Sequence, residues 1–515
     1  MRFVLLLLIT WTAVARADLM ARALDQPGSG GAQQQAPAVD NNLLTWAGPM
    51  RQISLPELLQ IAVRAAPALQ SAKLDIEIAE AQIQQTWVRN DWVFDAQVSG
   101  AWSGAGVVGG ISVGSSRRFD ARAGVSRMIP TNGTVSLHAG TSYQFSQSTI
   151  AGVMFENKSW TDDITLGLTQ PLLRGRGSFI FNAREQRAKL TRDAAVLTRR
   201  QVAIETVQAI ISAYWDLVLA QRQVAITEAS LALARERLRI TELGANGGKI
   251  AKAEIPAVQQ IIATREEEVL GGELAVLERS IALRRAVGMA ITAGDIGLRV
   301  ATELETRDTS MPLAPLLDRS YSASPELAAL AKQEAGSTLE IEVAENGLLP
   351  QLDLAIALGP TGSDTTFARA TENLVKFKEL SAQGTLTFTE GLHRDDVRGR
   401  VRELHAGRMK VRVNAIDVRA QIAQTLSRAV AQIELAKRRV VLSQRAIDLA
   451  IENIRIETDR FNLGKATNFD VLNRQEEQRQ AELRKAQALI DWHKAETVVQ
   501  ALTGDLLPTF GITVD

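Results

Sequence analysis

Apolar residues follow two different periods along this chain, and the order of the two periods repeats. Over 202–288 the apolar seam reads Ile210, Ala213, Leu217, Ala220, Val224, Thr227, Leu231, Ala234, Leu238. Shifted by 216 residues without a gap, the same seam reads Leu426, Ala429, Ile433, Ala436, Val440, Ser443, Ile447, Ala450, Ile454. Steps of three and four keep one side of a long helix against a neighbour over many turns. At the same offset Gly248-Lys249 meets Gly464-Lys465, Glu254-Ile255 meets Asp470-Val471, and Gly288 meets Gly504. The pattern predicts two copies of one long helical hairpin with Gly-Lys at the tip.

A second repeat precedes each hairpin, at an offset of 258: Pro67-Ala68-Leu69 falls on Pro325-Glu326-Leu327, and Phe94-Asp95 falls on Leu352-Asp353. Each half therefore predicts a short helix, a Pro break, a helix, strands and the long hairpin, an arrangement of tandem units that pack on one another. The two offsets differ by 42 residues, so the first half carries extra material between its strand and its hairpin.

Between the helical stretches the period drops to two. Phe94, Ala96, Val98, Gly100 and Trp102 share one face, as do Val135, Leu137, Ala139, Thr141, Tyr143 and Phe145, and Ile164, Leu166 and Leu168. The second half repeats this at Leu352, Leu354, Ile356, Leu358 and at Leu380, Ala382, Gly384, Leu386, Phe388. Two-faced strands of about ten residues suit a membrane barrel with an apolar outside and a polar lumen. A soluble sheet on a core explains alternation equally well. Two features favour the barrel: the helices carry apolar residues on more than one side, such as Trp215 and Val218, and a single chain has too few strands to close a barrel alone. Both point to a closed oligomer.

Composition narrows the classes. Met1-Arg2, an apolar run from Phe3 to Val14 and Ala15-Arg16-Ala17 form a secretory signal, so the mature chain is expected to begin at Asp18, outside the cytoplasm. There are 58 basic and 58 acidic residues, which gives no reason to expect nucleic acid as a partner. No Cys is present, which excludes disulfides, thiolate metal sites and a Cys nucleophile. No later run approaches the ~20 apolar residues a membrane helix needs, so a membrane crossing would be by β-barrel.

Candidate chemistry is sparse. His138, His393, His405 and His493 form no metal-spaced pair. His393-Arg394-Asp395-Asp396 reads as an acidic helix start that suits the helix dipole, Gly104 to Gly110 as a loop without the ending of a phosphate-binding motif, and Tyr214-Trp215 as core. No catalytic, cofactor-binding or metal site is expected.

The order and duplication of these motifs resemble the TolC-type outer-membrane efflux protein family from Leu55 to Gly504. The resemblance is carried by Pro67-x-Leu69 and Pro325-x-Leu327, Leu349-Pro350-Gln351-Leu352-Asp353, Leu168-Thr169-Gln170-Pro171-Leu172-Leu173, and Phe461-x-x-Gly464 followed by Phe469-Asp470-Val471-Leu472. It implies a homotrimer sharing one 12-stranded outer-membrane β-barrel and one periplasmic α-barrel, docked to an inner-membrane pump through a periplasmic adaptor protein. It also places two acidic gate positions just past the second tip. The first matches Asp470; the second falls on Asn473, so a trimer would carry three gate carboxylates rather than six. A competing reading makes Asp470 a helix N-terminal residue. The sequence departs from the family at Trp92, which stands where the second half has Pro350, and at Thr389, which stands where the first has Pro171. A hairpin around Pro130-Thr131-Asn132-Gly133 is extra; it reads as an elaborated loop on the outer side of the barrel, though its alternation would also suit two more wall strands.

The expected fold is therefore mainly α with a β-barrel portion. The expected divisions are a signal peptide (1–17), a flexible leader (18–52), short helices (53–91), strands with the inserted hairpin (92–173), a long hairpin (174–288), an equatorial linker (289–312), short helices (313–349), strands (350–390), the second long hairpin (391–504) and a tail (505–515). The expected function is a passive exit duct for an efflux or type I secretion system in the outer membrane, in contact with its lipid. Gly248, Lys249, Gly464 and Lys465 are the expected adaptor-docking tips, with turn formation alone as the simpler role of the glycines. The competing reading is a periplasmic coiled-coil scaffold without a pore.

Overall fold

The computed structural model describes residues 51–104, 106–108, 111–150, 153–248, 250–292, 296–300 and 311–513. The signal peptide, all of the leader but Arg51 and Gln52, part of the linker and Lys249 lie outside these residues.

The chain opens with strand β1 (Arg51–Ile53), helix α1 (Leu55–Ala65) and helix α2 (Pro67–Thr86), followed by a 3-10 turn, Trp87–Asn90. Ser54 starts α1, its N–H donating to Glu57 Oε2 at 3.0 Å, and the acidic group complements the helix N-terminus. Strands β2 (Val93–Ser103), β3 (Gly106–Val108), β4 (Ile111–Met128), β5 (Thr134–Ile150) and β6 (Val153–Pro171) lead into the 69-residue helix α3 (Ser178–Asn246) and its return, α4 (Glu254–Val287). The second half runs β7 (Leu298–Val300), α5 (Leu313–Ala323), α6 (Pro325–Asn346), β8 (Gln351–Asp364), α7 (Phe367–Val375), β9 (Glu379–Thr389), the 68-residue α8 (Asp395–Asn462), α9 (Asn468–Thr503) and α10 (Leu506–Thr509). At 1.5 Å per residue α3 and α8 are each about 100 Å long.

Six strands lie in one antiparallel sheet in the order β2-β4-β5-β6-β8-β9, with β3 paired to β4. Two expectations bear on this sheet. The twelve-strand count rested on two strand pairs per chain, whereas six strands follow one another along this path. The extra hairpin is not a loop beyond the outer end of the sheet: Val93↔Ser126 and Thr134↔Thr169 put its turn, 129–133, at the end where the helices begin. Gly104 to Gly110, expected as loop, contains β3, which pairs Val108 with Ile111.

The two helical seams predicted from the sequence are the contact lines of the hairpins. Ile210, Leu217, Leu231 and Ala234 are buried on α3, and Leu426, Ala429, Ile433 and Ala436 on α8. The main core sits midway along α3, where α1, α4, α9, α10 and a small parallel pair, β1 with β7, converge on Ile210, Leu217, Leu283, Leu298 and Ile490. Strand β7 and two of the three residues of β1 fall in segments expected to be linker and leader. One stretch of α3 is long and apolar enough by composition to cross a membrane, contrary to the expectation that no later run would be. Half of it is buried inside the molecule, and Ile211, Tyr214, Trp215 and Val218 belong to the core. Gly288 ends α4 at φ 83°, and a Cβ there would lie 2.3 Å from the Ala65 carbonyl oxygen, so glycine is needed both for the turn and for the approach of α1.

The short helices have unequal surroundings. Helix α6 packs between α3 and α8, whereas its repeat partner α2 packs on α3 with no comparable second neighbour. Leu74 and Ile78 of α2 and Met409, Val413 and Ile416 of α8 remain exposed. Strands β2 and β9, the two ends of the sheet path, are likewise unpaired on their outer sides among the described residues.

Candidate functional site

Three features could serve a duct: the sheet, the hairpin tips and the contacts between the two hairpins beside the tips.

Cross-strand pairing gives the sheet two chemically distinct faces. Phe94, Val125, Leu137, Leu166, Leu358 and Ala382 form one row through all six strands on one face. Ser99, Asp120, Ser142, Thr161 and Ser363 form a row on the other. The apolar residues are exposed: Phe94 is 70% exposed, Leu166 52% and Leu386 62%. An apolar surface this extensive, exposed over most of its length, is one that water does not favour. Aromatic residues concentrate near the far end of this face, where Tyr143 lies 4.7 Å from Trp160, and near the helical end, where Arg127 lies over Trp92. That is the girdle arrangement of membrane barrels. Helix α7 lies over the far end, with the Phe367 ring 5.4 Å from Trp160 and Thr371 donating to Asp162. Asp162 is buried and also accepts from Thr141 Oγ1 at 2.6 Å, so a carboxylate on the apolar face is covered and hydrogen-bonded.

At the opposite end of the molecule α3 stops at Asn246 and α8 at Asn462. Gly248 and Gly464 both adopt φ 71°. At the second tip the Lys465 N–H donates to Arg460 C=O at 2.8 Å and Gly464 N–H to Phe461 C=O at 2.9 Å, closing the helix through its left-handed glycine. No atom lies within 4 Å of a Cβ built on either glycine, so the conformation, not space, selects glycine there. Leu463 and Phe469 stand exposed beside Gly464.

Asp470 lies in the first turn of α9 and forms a capping box: its Oδ2 accepts from Thr467 N–H at 2.8 Å and Thr467 Oγ1 at 2.7 Å. Those bonds, with Arg460 and Arg474 nearby, hold its carboxyl below the usual carboxylate range. The helix-start role therefore has a geometric basis. Asn473 is exposed one turn on and lines a groove between α4 and α9 together with Gln260, Arg265, Phe469 and Glu476.

The contacts that join the hairpins here were not foreseen. Glu254, the repeat counterpart of Asp470, accepts from Asn468 Nδ2 at 2.6 Å. Arg265 of α4 pairs with Glu476 of α9, and Glu268 with Arg479 at 3.5 Å. Burial alone would raise the Glu476 pKa, but hydrogen bonds from Arg479, Arg265 and Gln480 outweigh it and bring it down to about 2. Arg237 is buried with its guanidinium 5.1 Å from the Phe461 ring centroid, joining α3 to α8. The repeat offset could have flagged Glu254; the Arg265 and Glu476 pair breaks the repeat and carried no sequence signal.

The histidines occupy separate surroundings. His138 lies 3.9 Å from Asp95, His405 lies 3.5 Å from Glu345, and His493 stacks on Trp215 at 4.1 Å. Among the described residues no group of three or more His, Asp or Glu is placed to hold a metal ion. Asp395 and Asp396 begin α8, in keeping with an acidic helix start.

Comparison with known proteins agrees with this geometry. The sequence profile of the family "Outer membrane efflux protein" matches residues 130–289. Nodulation protein T of Rhizobium leguminosarum bv. trifolii is 20% identical over 337 residues, 63% of this chain and 68% of the relative. The Campylobacter jejuni CmeC outer membrane channel superposes with a TM-score of 0.64 at 14% identity, covering 88% of this chain and 86% of that one. The Vibrio cholerae outer membrane protein VceC gives 0.62 at 15% identity, covering 88% and 96%. Residues 130–289 thus resemble the outer membrane efflux proteins, and the fold is similar to that of the outer membrane channels.

Proposed function

We propose that the protein is the outer-membrane exit duct of a tripartite efflux or type I secretion system, a passive wall whose energy is supplied by its partners. The observation that carries this reading is the joining of a sheet with one exposed apolar face to two helical hairpins about 100 Å long. A sheet can cross a bilayer only if it closes, and one chain leaves both edge strands, β2 and β9, open. Copies arranged head to tail close both layers at once: β9 of one copy meets β2 of the next, and the apolar flank of α8 meets that of α2. The number of copies in the ring is three, following the family resemblance. Outer-membrane lipid then covers the apolar face, and the hairpins extend into the periplasm.

The tips at Gly248 and Gly464, with Lys249 and Lys465 beside them, meet a periplasmic adaptor, and the adaptor connects the duct to an inner-membrane pump. Asp470 and Asn473 sit where the ring of hairpins is narrowest. Three Asp470 carboxylates on a threefold axis repel one another and attract cations, which makes them a gate that favours cations and a blocking site for multivalent metal ions. The capping box holds each carboxylate in its ionised form and is compatible with that role. A periplasmic scaffold without a pore would have to bury the apolar sheet face in its own core, and that face is exposed.

Purified protein in planar bilayers tests the duct directly. Discrete, cation-selective conductance steps are expected. Protein that inserts in no bilayer and is released with periplasmic contents would overturn the reading.

A further inference from the structure

The extra hairpin of the first half is built into the middle of the sheet. Strand β2 pairs with β4, not β6, and β6 reaches β2 only through β5 and β4. If the hairpin lay outside the wall, β2 would lose its only partner among the described residues. The hairpin also obeys the face pattern of its neighbours. Phe119, Ala121, Ala123 and Val125 of β4 and Val135, Leu137 and Ala139 of β5 lie on the apolar face in register with Phe94, Ala96 and Val98 of β2 and Ile164, Leu166 and Leu168 of β6. Between them Asp120, Arg122, Ser142 and Gln144 point to the polar side. Since a one-residue slip would exchange the two faces, agreement over so many rows fixes the hairpin in the same layer.

The turn is anchored as well. Asn132, at φ 65°, donates through Nδ2 to Gly175 C=O at 2.6 Å, Gly177 N–H donates to Thr131 C=O at 3.0 Å, and Thr131 Oγ1 donates to Gln170 Oε1 at 2.6 Å. These bonds root the turn at the junction where β6 gives way to α3, on the helical side of the sheet.

We propose that β4 and β5 are membrane-spanning wall strands, so that each chain supplies six and a trimer closes a barrel of eighteen. The occupant of their apolar face is bilayer hydrocarbon. The proposal rests on the duct reading given above and adds to it a wider outer-membrane section. Barrel diameter grows roughly in proportion to strand number, so eighteen strands give a section about half again as wide as twelve. Helices α3, α4, α8 and α9 still set the bore in the periplasm. The added wall brings Arg118, Asp120 and Arg122 to the lumen, with Arg118 Nε 2.8 Å from Asp120 Oδ2. The outer-membrane mouth is therefore lined by mixed charge, whereas the gate's carboxylates lie at the opposite end of the duct.

The natural absence of Cys permits a direct test. Single variants Ala123→Cys and Ala139→Cys on the apolar face, and Arg122→Cys and Ser142→Cys on the polar face, are treated in outer membranes with a membrane-impermeant maleimide. Ile356→Cys and Ala357→Cys in β8 provide the reference pair. The expected result is labelling at 122, 142 and 357 at least tenfold faster than at 123, 139 and 356. Spin labels at 123 and 139 should also be relaxed by oxygen and not by a water-soluble nickel chelate; a protein core would exclude both. Equal labelling at all four hairpin positions, with 356 and 357 still different, would show the hairpin to be a solvated loop and leave the duct reading standing. Equal labelling at 356 and 357 would overturn the membrane wall itself and this proposal with it.

Discussion

Glu254 Oε2 accepts a hydrogen bond from Asn468 Nδ2 at 2.6 Å, which ties the first long hairpin to the second just inside their tips. Its repeat counterpart Asp470 turns back onto Thr467 of its own helix instead. Equivalent positions of the two repeats thus do different work, one bracing between hairpins and one capping locally.

Removing the brace should loosen the tips. Glu254→Ala is expected to raise the open-state conductance of the reconstituted protein several-fold, and Glu254→Gln, which keeps an acceptor, to raise it far less. Unchanged conductance in Glu254→Ala would count against any role of this contact in closure.

The Arg265 and Glu476 pair makes a pH-dependent contribution. Its folded-state pKa of about 2 lies below the ordinary carboxylate value of 4.5. The stabilisation is therefore fully present above pH 4.5 and is lost as pH falls from there toward 2. Glu476→Gln should lower the melting temperature at pH 7 by removing on the order of 1 kcal/mol, the partly exposed pair being screened by solvent. The gap between variant and wild type should narrow as pH falls below 4.5. A gap that widens on acidification would contradict the assignment.

Asp470 separates two roles by experiment. If it lines the gate, Asp470→Asn lowers cation selectivity and weakens block by multivalent metal ions, and Asn473→Asp deepens that block. If it only starts the helix, Asp470→Asn lowers the melting temperature with selectivity unchanged. Selectivity and melting temperature measured on the same variant decide between them.

At Gly464 the φ of 71° penalises any side chain, although space is available. Gly464→Val should destabilise the protein by about 1–2 kcal/mol and leave oligomer yield near wild type. Loss of transport with yield retained is expected of an adaptor contact. Loss of yield along with it would mean that the glycine serves the turn alone.

The long hairpins were legible because a helix about 100 Å long must repeat its apolar step many times, and duplication at 216 residues doubled the signal. The faces of the strands were legible for the same reason at period two. Strands β1 and β7 were not, because three residues carry no period, and Ile53, Leu298 and Val300 become core only through pairing across the chain. The number of strands per chain was hidden by a matter of connection. Alternation identified Val135 to Phe145 as strand, but whether a hairpin stands in a wall or beyond it depends on partners such as Val125↔Leu137 and Leu137↔Leu166, which local sequence does not encode. The contact of Arg265 with Glu476 was hidden likewise, since 211 residues separate them and the offset of the repeat pairs neither with the other.

The most direct test of the central claim is the mass of the particle extracted in mild detergent from purified outer membranes. A closed duct predicts a single species of three chains that resists denaturation until heated. A monomer recovered from the periplasmic fraction would contradict it.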